Sequence, residues 1–412
     1  MSFASAWLDQ RALYPQFIPE PPAEETGIIV VVPSYNEEGI ASMLHSLHDA
    51  ERPRCKAEVI VVVNAPAEAQ ESHLLNNTRT IADINTWKQE NTESFFSIYH
   101  IEPSPIPGWG VGLARKTGMD EALRRFNSID RPEGIIVCLD ADCTVSGDYF
   151  KAIEQGFDNR KREACSIYFE HPLEKTKDEK TSKAIILYEL HLRYYYQSLL
   201  YTGLPGVFHT VGSAMAVRAL AYMKSGGMNR KQAGEDFYFI QKLIPQGGYF
   251  SLDTTTVYPL PRPSFRVPFG TGATMEKLLK GNDPEYKTYN PEAFSDLKRT
   301  FAALPHYYAD PETSYKKLPG SLRVFITDEE WNARLAEIKN NTSGYESFRK
   351  RFFFWFNMFK VVKYLNLVHE KYFQKERVEI CAAELLGKLG VNYEKRTPAN
   401  LLTIYRSMEK KN

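Results

Sequence analysis

Two short acidic stretches carry most of the chemistry this chain could do. The first is Asp140-Ala-Asp142, which closes the apolar run at 134–139. Such a run reads as a buried strand, and two carboxylates one residue apart at the end of an extended segment project to the same side. Their hard oxygens suit one divalent ion, and a cation held there invites a phosphate. The second stretch is Gly234-Glu235-Asp236, two acids at the start of a segment with helical spacing over 237–243. An acid there can simply answer the helix dipole. Within reach of a substrate hydroxyl, it can also act as a general base.

Basic residues supply a counterpart. Arg115 and Lys116 follow a Pro- and Gly-rich stretch at 103–112 and open a helical segment, where exposed N–H groups and two cations suit a diphosphate. Arg262 and Arg266 lie in the Pro- and Gly-rich stretch 258–272, which reads as an ordered active-site loop whose guanidinium groups can reach a phosphate. Each signal has a plain structural reading as well: an Asx turn, a satisfied dipole, a solvated Arg-Lys pair or a surface salt bridge. Their conjunction is what favours a site.

The elements that would position these residues alternate. Strand-like runs at 28–32, 57–63, 95–101 and 134–139 are separated by helical segments after Glu37-Glu38, up to about Gln89, and over 110–126. That alternation predicts parallel pairing with right-handed crossovers, an α/β layered fold with a mostly parallel sheet. Ligands then belong at the carboxyl ends of the strands. Pro33-Ser34-Tyr35-Asn36-Glu37, Asn64 and Asp140-Ala-Asp142 all fall at such ends. Further on, a long aromatic-faced helix is predicted over 180–202, a strand-like run of small residues at 212–217 and a short strand at 249–252. From about residue 275 the chain turns helical and charged, with helices predicted over 331–339 and 347–372.

Composition bounds the function. The 412 residues carry 51 basic and 51 acidic side chains, so no basic excess argues for nucleic acid. Five cysteines without a Cys-x-x-Cys spacing are expected as reduced thiols in a cytoplasmic protein. The first residues lack a basic and apolar export signal and read as a surface arm. Without such a signal, the glycosylation triplets beginning at Asn76 and Asn340 are chance matches. The aromatic stretch at 349–366 is interrupted by Lys360 and Lys363, well short of the roughly 20 apolar residues a span requires. A helix packed on the catalytic domain or a subunit partner is favoured, with peripheral membrane contact through 349–368 as the alternative. The expected division is an arm over 1–26, a catalytic domain over 27–272 and a mainly helical region over 273–412.

Taken together, the segment 31–37, the Ala114-Arg115-Lys116-x-Gly118 helix start, Asp140-Ala-Asp142 and Gly234-Glu235-Asp236 resemble the family 2 glycosyltransferases of the GT-A fold, in order and spacing over about 27–272. The resemblance implies a metal-dependent enzyme, with Mn²⁺ or Mg²⁺, that moves a sugar from a nucleotide-diphosphate donor to a hydroxyl of a glycan, lipid or small molecule. It implies Pro33, Tyr35, Glu37 and Asn64 on the nucleoside, with Arg115, Lys116 and Arg266 beside the diphosphate. Asp142 would be the direct metal ligand, Asp140 a ribose or water-mediated metal contact, and Asp236 the base of an inverting transfer, with Glu235 as its understudy. Asn64 stands where the family usually has an Asp, which loosens the expected preference for uridine. The Gln-x-x-Arg-Trp motif of processive synthases is missing, and the helical third of the chain has no family counterpart. A sugar-phosphate nucleotidyltransferase and a non-catalytic nucleotide-sugar-binding scaffold are the alternatives, and a homo-oligomer is compatible with the sequence.

Overall fold

The computed structural model describes residues 2–106, 110–231, 234–263, 270–281 and 284–410. The chain forms two compact units, one of residues 1–176 with 208–276, the other of residues 177–207 with 277–411.

The first unit is built on one mixed sheet of eight strands in the order 3-2-1-4-7-6-8-5. These are β1 (Thr26–Ser34), β2 (Lys56–Val63), β3 (Phe96–Ile101), β4 (Ile135–Cys138), β5 (Cys143–Val145), β6 (Ala164–Phe169), β7 (Met215–Arg218) and β8 (Tyr249–Pro259). The predicted alternation is realised where strands β3, β2, β1 and β4 run parallel. β1 sits inside this layer, with Val31 opposite Ile60 on one side and Cys138 on the other. Its residues 28–32 are fully buried, as a strand covered on both faces must be.

The remaining strands add antiparallel pairs. β7 runs antiparallel to both β4 and β6, β6 runs parallel to β8, and β5 returns antiparallel to β8. This registry places the starts of β7 and β5 on the same rim as the ends of β1, β4, β6 and β8. Met215 lies opposite Cys138, and Cys143 opposite Pro259. β8 runs well past the four residues expected for it. Its threonine run 254–256 is β-branched and bonded outward: Thr255 Oγ1 donates to Asp148 Oδ1 at 2.8 Å, and Thr256 N donates to Ser146 Oγ at 2.9 Å.

Four helices of this unit matter to the rim: α1 (Ser5–Arg11), α2 (Ile40–His48), α3 (Glu71–Glu90) and α4 (Val111–Ser128). The residues read as a surface arm dock on α4. Ala4 N donates to Asn127 Oδ1 at 2.7 Å, Ile18 N to Glu121 Oε1 at 3.0 Å, and Ala4, Leu8 and Ile18 are buried. α4 in turn lies against β1 and β2 at Gly118, where a Cβ would come within 2.4 Å of Val31 Cγ1 and 2.8 Å of Val62 Cγ2.

The second unit is largely helical. Trp331, Tyr307, Tyr364 and Tyr405 are fully buried in it. Glu189, completely buried, accepts hydrogen bonds from Arg193 Nε at 2.8 Å and from Arg406 Nε and Nη2 at 2.7 Å each, so its charge is matched by two guanidinium groups. The single helix predicted over 347–372 is two helices, Tyr345–Trp355 and Met358–Lys371. Phe356, at φ −90° and ψ 59°, leaves the helical region, and the Asn357 side chain accepts from Lys360 N at 3.3 Å to start the next helix. Among the described residues no helix is long and apolar enough to cross a membrane. All five cysteines are free.

Gly118→Val removes a helix glycine, which by propensity alone would help by a few tenths of a kcal/mol to about 1 kcal/mol. Because its γ carbons would be driven into Val31 and Val62, it should instead destabilise the first unit by about 1–3 kcal/mol. Urea unfolding, followed through the transition of that unit, measures the difference.

Candidate active site

The sheet rim assembles the predicted residues from the two ends of the first unit. Asp140 follows β4, and Asp142 immediately precedes β5. Their side chains are 38% and 23% exposed, so both carboxylates open to solvent at the edge of an otherwise buried strand. Glu235 and Asp236 open the helix Glu235–Leu243, behind Gly234 at φ 71°, a left-handed turn that glycine adopts without strain.

Arg115 joins these two places. Its guanidinium, only 2% exposed, donates to Asp140 Oδ1 at 2.7 Å through Nη2 and to Glu235 Oε1 through Nη1. Burial alone would oppose the charge of Arg115, but Asp140, Glu235 and Asp236 outweigh it and hold the group firmly cationic. Gly212 makes room, since a Cβ there would sit 2.6 Å from Arg115 Nη1. Gly112 does the same one turn earlier on α4, where a Cβ would lie 2.9 Å from Glu235 Cβ. Both glycines are therefore part of the site. The sequence marked Gly112 as part of a glycine-rich stretch and Gly212 as heading a run of small residues open to close approach, but not that both make room for one ion pair.

Lys116 is not brought to the rim. Its ammonium donates to Asp120 Oδ2 at 2.7 Å, beneath the Trp7 ring 5.4 Å away, while Asp120 Oδ1 accepts from Tyr222 Oη at 2.6 Å. Consecutive residues on a helix lie about 100° apart, so when Arg115 faces the rim Lys116 faces the interior. Arg115, committed to two carboxylates, is likewise placed as a brace rather than a solvent-facing phosphate ligand. Arg266 lies outside the described residues.

The first loop is held from behind by one face of α3. Asn36, at φ 53°, donates its backbone N–H to Asn77 Oδ1 at 2.9 Å and accepts at its side-chain oxygen from Asn76 Nδ2 at 2.7 Å. Asn77 Nδ2 donates to the Asn64 carbonyl at 2.8 Å, and Thr80 Oγ1 donates to the Glu37 carbonyl at 3.1 Å. Tyr35 Oη hydrogen-bonds His73 Nδ1 at 2.9 Å. Pro33 and Asn64 are buried. His73, Asn76, Asn77 and Thr80 recur at helical spacing, a polar face that could have been read from the sequence as a clamp on this loop.

Arg262, beyond the end of β8, links the first loop to Asp142. It donates from Nη2 to Glu37 Oε2 and from Nε to Asp142 Oδ2 at 3.2 Å. Glu37, 5% exposed, is thereby a buried carboxylate with a guanidinium partner. Five carboxylates, Glu37, Asp140, Asp142, Glu235 and Asp236, thus surround two guanidinium groups, Arg115 and Arg262, among the described residues. A hard divalent cation fits that donor set, because negative charge exceeds positive and Asp140 and Asp142, one residue apart, are both partly exposed. No cluster of three or more His, Cys, Asp or Glu side chains able to hold a metal occurs among the described residues. A cation of the Mg²⁺ type does not need one, since it takes one or two carboxylates and completes its shell with water and phosphate.

Burial pushes the carboxyls of Glu235 and Asp236 up, with Arg115 pulling the other way in both cases. Asp236 keeps a partly exposed edge, accepts from Phe237 N at 2.7 Å and takes a further backbone hydrogen bond from Gly212. For Glu235 the value is pushed up to about 7.

No model of a known protein family matches the chain, and no curated protein sequence matches it. Several solved structures are similar to the chain. S. aureus TarS 1–349 in complex with UDP is 13% identical, covering 78% of this chain and 89% of that chain, at a TM-score of 0.41. S. aureus TarS 1–349 in complex with UDP-GlcNAc is 15% identical, covering 93% and 91%, at 0.40. GalNAc-T7 with UDP, GalNAc and Mn²⁺ is 12% identical, covering 83% of this chain and 58% of that chain, at 0.38. At those values the roles of individual side chains rest on the site's own geometry.

A carboxyl whose pKa is higher in the folded chain than in the unfolded one binds an extra proton on folding. Its contribution to stability is complete below the unfolded value, 4.5 for Glu235, and is lost as the pH rises through about 7. Stability should therefore fall between about pH 4.5 and 7, by up to about 3 kcal/mol from this group. Glu235→Gln should flatten that slope. Chemical denaturation at stepped pH on both proteins gives the comparison, and equal slopes would remove Glu235 as the source.

Proposed function

We propose that this chain is a glycosyltransferase acting on a nucleotide-diphosphate sugar, a UDP-sugar by preference, with Asp236 as the base of an inverting transfer and membership of family 2 as its finer placement. The observation that carries the reading is the buried Arg115 guanidinium, which holds Asp140 beside Asp142 at one end and the Glu235-Asp236 pair at the other. A binding protein needs carboxylates for a cation but has no use for a second acidic pair with raised basicity fixed beside them. A fold alone does not settle activity, so the assignment stands on these side chains.

In this reading the nucleoside lies along Pro33, Tyr35, Glu37 and Asn64, whose loop is already pinned by α3. Mn²⁺ or Mg²⁺ held by Asp142, with Asp140 beside it, would supply Lewis-acid stabilisation of the departing diphosphate. The hydroxyl of the acceptor, a glycan, lipid or small molecule, donates a hydrogen bond to the Asp236 carboxylate and gives up its proton as its oxygen attacks the anomeric carbon. The bond from that carbon to the diphosphate oxygen breaks, its electron pair leaves with the nucleoside diphosphate, and attack from the opposite face inverts the centre. A carboxyl raised by burial is the stronger base for this step. Burial raises the Asp236 carboxyl although Arg115 and the backbone N–H groups of Phe237 and Gly212 pull the other way. Arg115 acts as a positioning residue, and Arg266 is proposed beside the diphosphate.

Asp236→Asn should reduce transfer by at least about a hundredfold, the low end of what general-base catalysis supplies. UDP with Mn²⁺ should still raise the melting temperature of that variant as it does the unaltered chain, because a ligand of the folded state stabilises by mass action. The two readouts are product formation with a panel of acceptors and thermal shift with UDP-, GDP- and ADP-sugars. Retained turnover would move the base to Glu235 or elsewhere, and no shift with any nucleotide would remove the donor class.

A further inference from the structure

The Arg262 bridge bears on how a cation enters the site, and the role inferred for it rests on the nucleotide-sugar reading. Both Nε and Nη2 of Arg262 lie 3.2 Å from Asp142 Oδ2, and Nη2 also bonds Glu37. A divalent ion on a carboxylate sits about 2.0–2.6 Å from the oxygen, within a few ångströms of this guanidinium, and two positive charges on one oxygen repel strongly where water is partly excluded. Asp140 is already held at Oδ1 by Arg115 Nη2 at 2.7 Å, so a cation on that oxygen would face a guanidinium there too. Moving Arg262 aside has its own cost, because Glu37 is buried and loses this guanidinium.

We infer that Arg262 and a divalent cation compete for Asp142, so that the cation binds tightly only together with a nucleotide diphosphate that takes Arg262 over. The nucleotide can satisfy both ends of the exchange. Diphosphate oxygens accept the guanidinium in the bidentate geometry it favours, and ribose hydroxyls or base N–H groups replace it as donors to Glu37. Arg262 is therefore a selectivity residue. It keeps the acidic rim from filling with free cation and couples cation affinity to nucleotide affinity, a coupling that is reciprocal by thermodynamic necessity.

The test titrates Mn²⁺ into the full chain and reads free ion by electron paramagnetic resonance, with and without UDP. In the unaltered chain, UDP should tighten Mn²⁺ binding at least about tenfold. Without UDP, Arg262→Gln should bind Mn²⁺ about tenfold more tightly than the unaltered chain, Arg262→Lys should stay close to it, and adding Asp142→Asn to Arg262→Gln should abolish the gain. Absence of UDP-dependent tightening in the unaltered chain overturns the inference even if a variant fails to fold. Equal Mn²⁺ affinity in Arg262→Gln and the unaltered chain overturns it as well. If UDP still binds in either of those cases, only the competition is lost, whereas failure of every form to bind UDP removes the nucleotide-sugar reading beneath it.

Discussion

One buried guanidinium holds the candidate site together. Arg115 sits almost entirely out of water, and a charge in that position is tolerable only with well-placed opposite charges. Those charges come from the end of β4 and the start of the helix Glu235–Leu243, segments nearly a hundred residues apart in sequence. The ion pair fixes the distance between the Asp140 carboxylate and the Glu235-Asp236 pair, whose carboxyls burial pushes up. The glycines at 112 and 212 exist to let it form, because a Cβ at either place would collide with the ion pair or the chain around it. The sheet supplies the rest, with parallel strands that present their carboxyl ends on one rim and antiparallel β7 that brings Gly212 to the same edge.

The charge balance of that rim explains its chemistry better than any single residue. Carboxylates outnumber guanidiniums, and two of them are driven toward protonation by burial. In the proposed reading, a divalent cation and the donor groups of a nucleotide-diphosphate sugar would offset that excess of negative charge. The same imbalance assigns different work to the two described arginines. Arg115 is buried and committed to two carboxylates, whereas Arg262 is 29% exposed and joins Glu37 to Asp142.

Much of this was legible in the sequence because acids at the end of an apolar run, and acids at the start of a helical one, are informative on chemical grounds. The alternation of strands and helices likewise gave the α/β class and the parallel half of the sheet. What escaped was directional. Arg115 and Lys116 look equivalent as neighbours, and only the helix phase sends one to the rim and the other to Asp120, four residues on. That Lys116-to-Asp120 spacing was a readable sign of an interior ion pair. The helix break at Phe356 escaped for a different reason. Hydrophobic spacing continues across it, and the only local signal is an Asn whose side chain can cap the second helix. The antiparallel strands depend on contacts between distant segments, so their short runs carry no local mark of orientation.

The central claim, that a cation, a diphosphate and a base meet on this rim, is tested most directly by a crystal structure of the chain grown with UDP and Mn²⁺. The diphosphate should lie against Asp142 with the uridine along Tyr35 and Glu37, and the Asp236 carboxylate should face the space beyond the β-phosphate where a sugar would stand. A nucleotide bound away from this rim, or an Asp236 side chain turned from that space, would contradict the account.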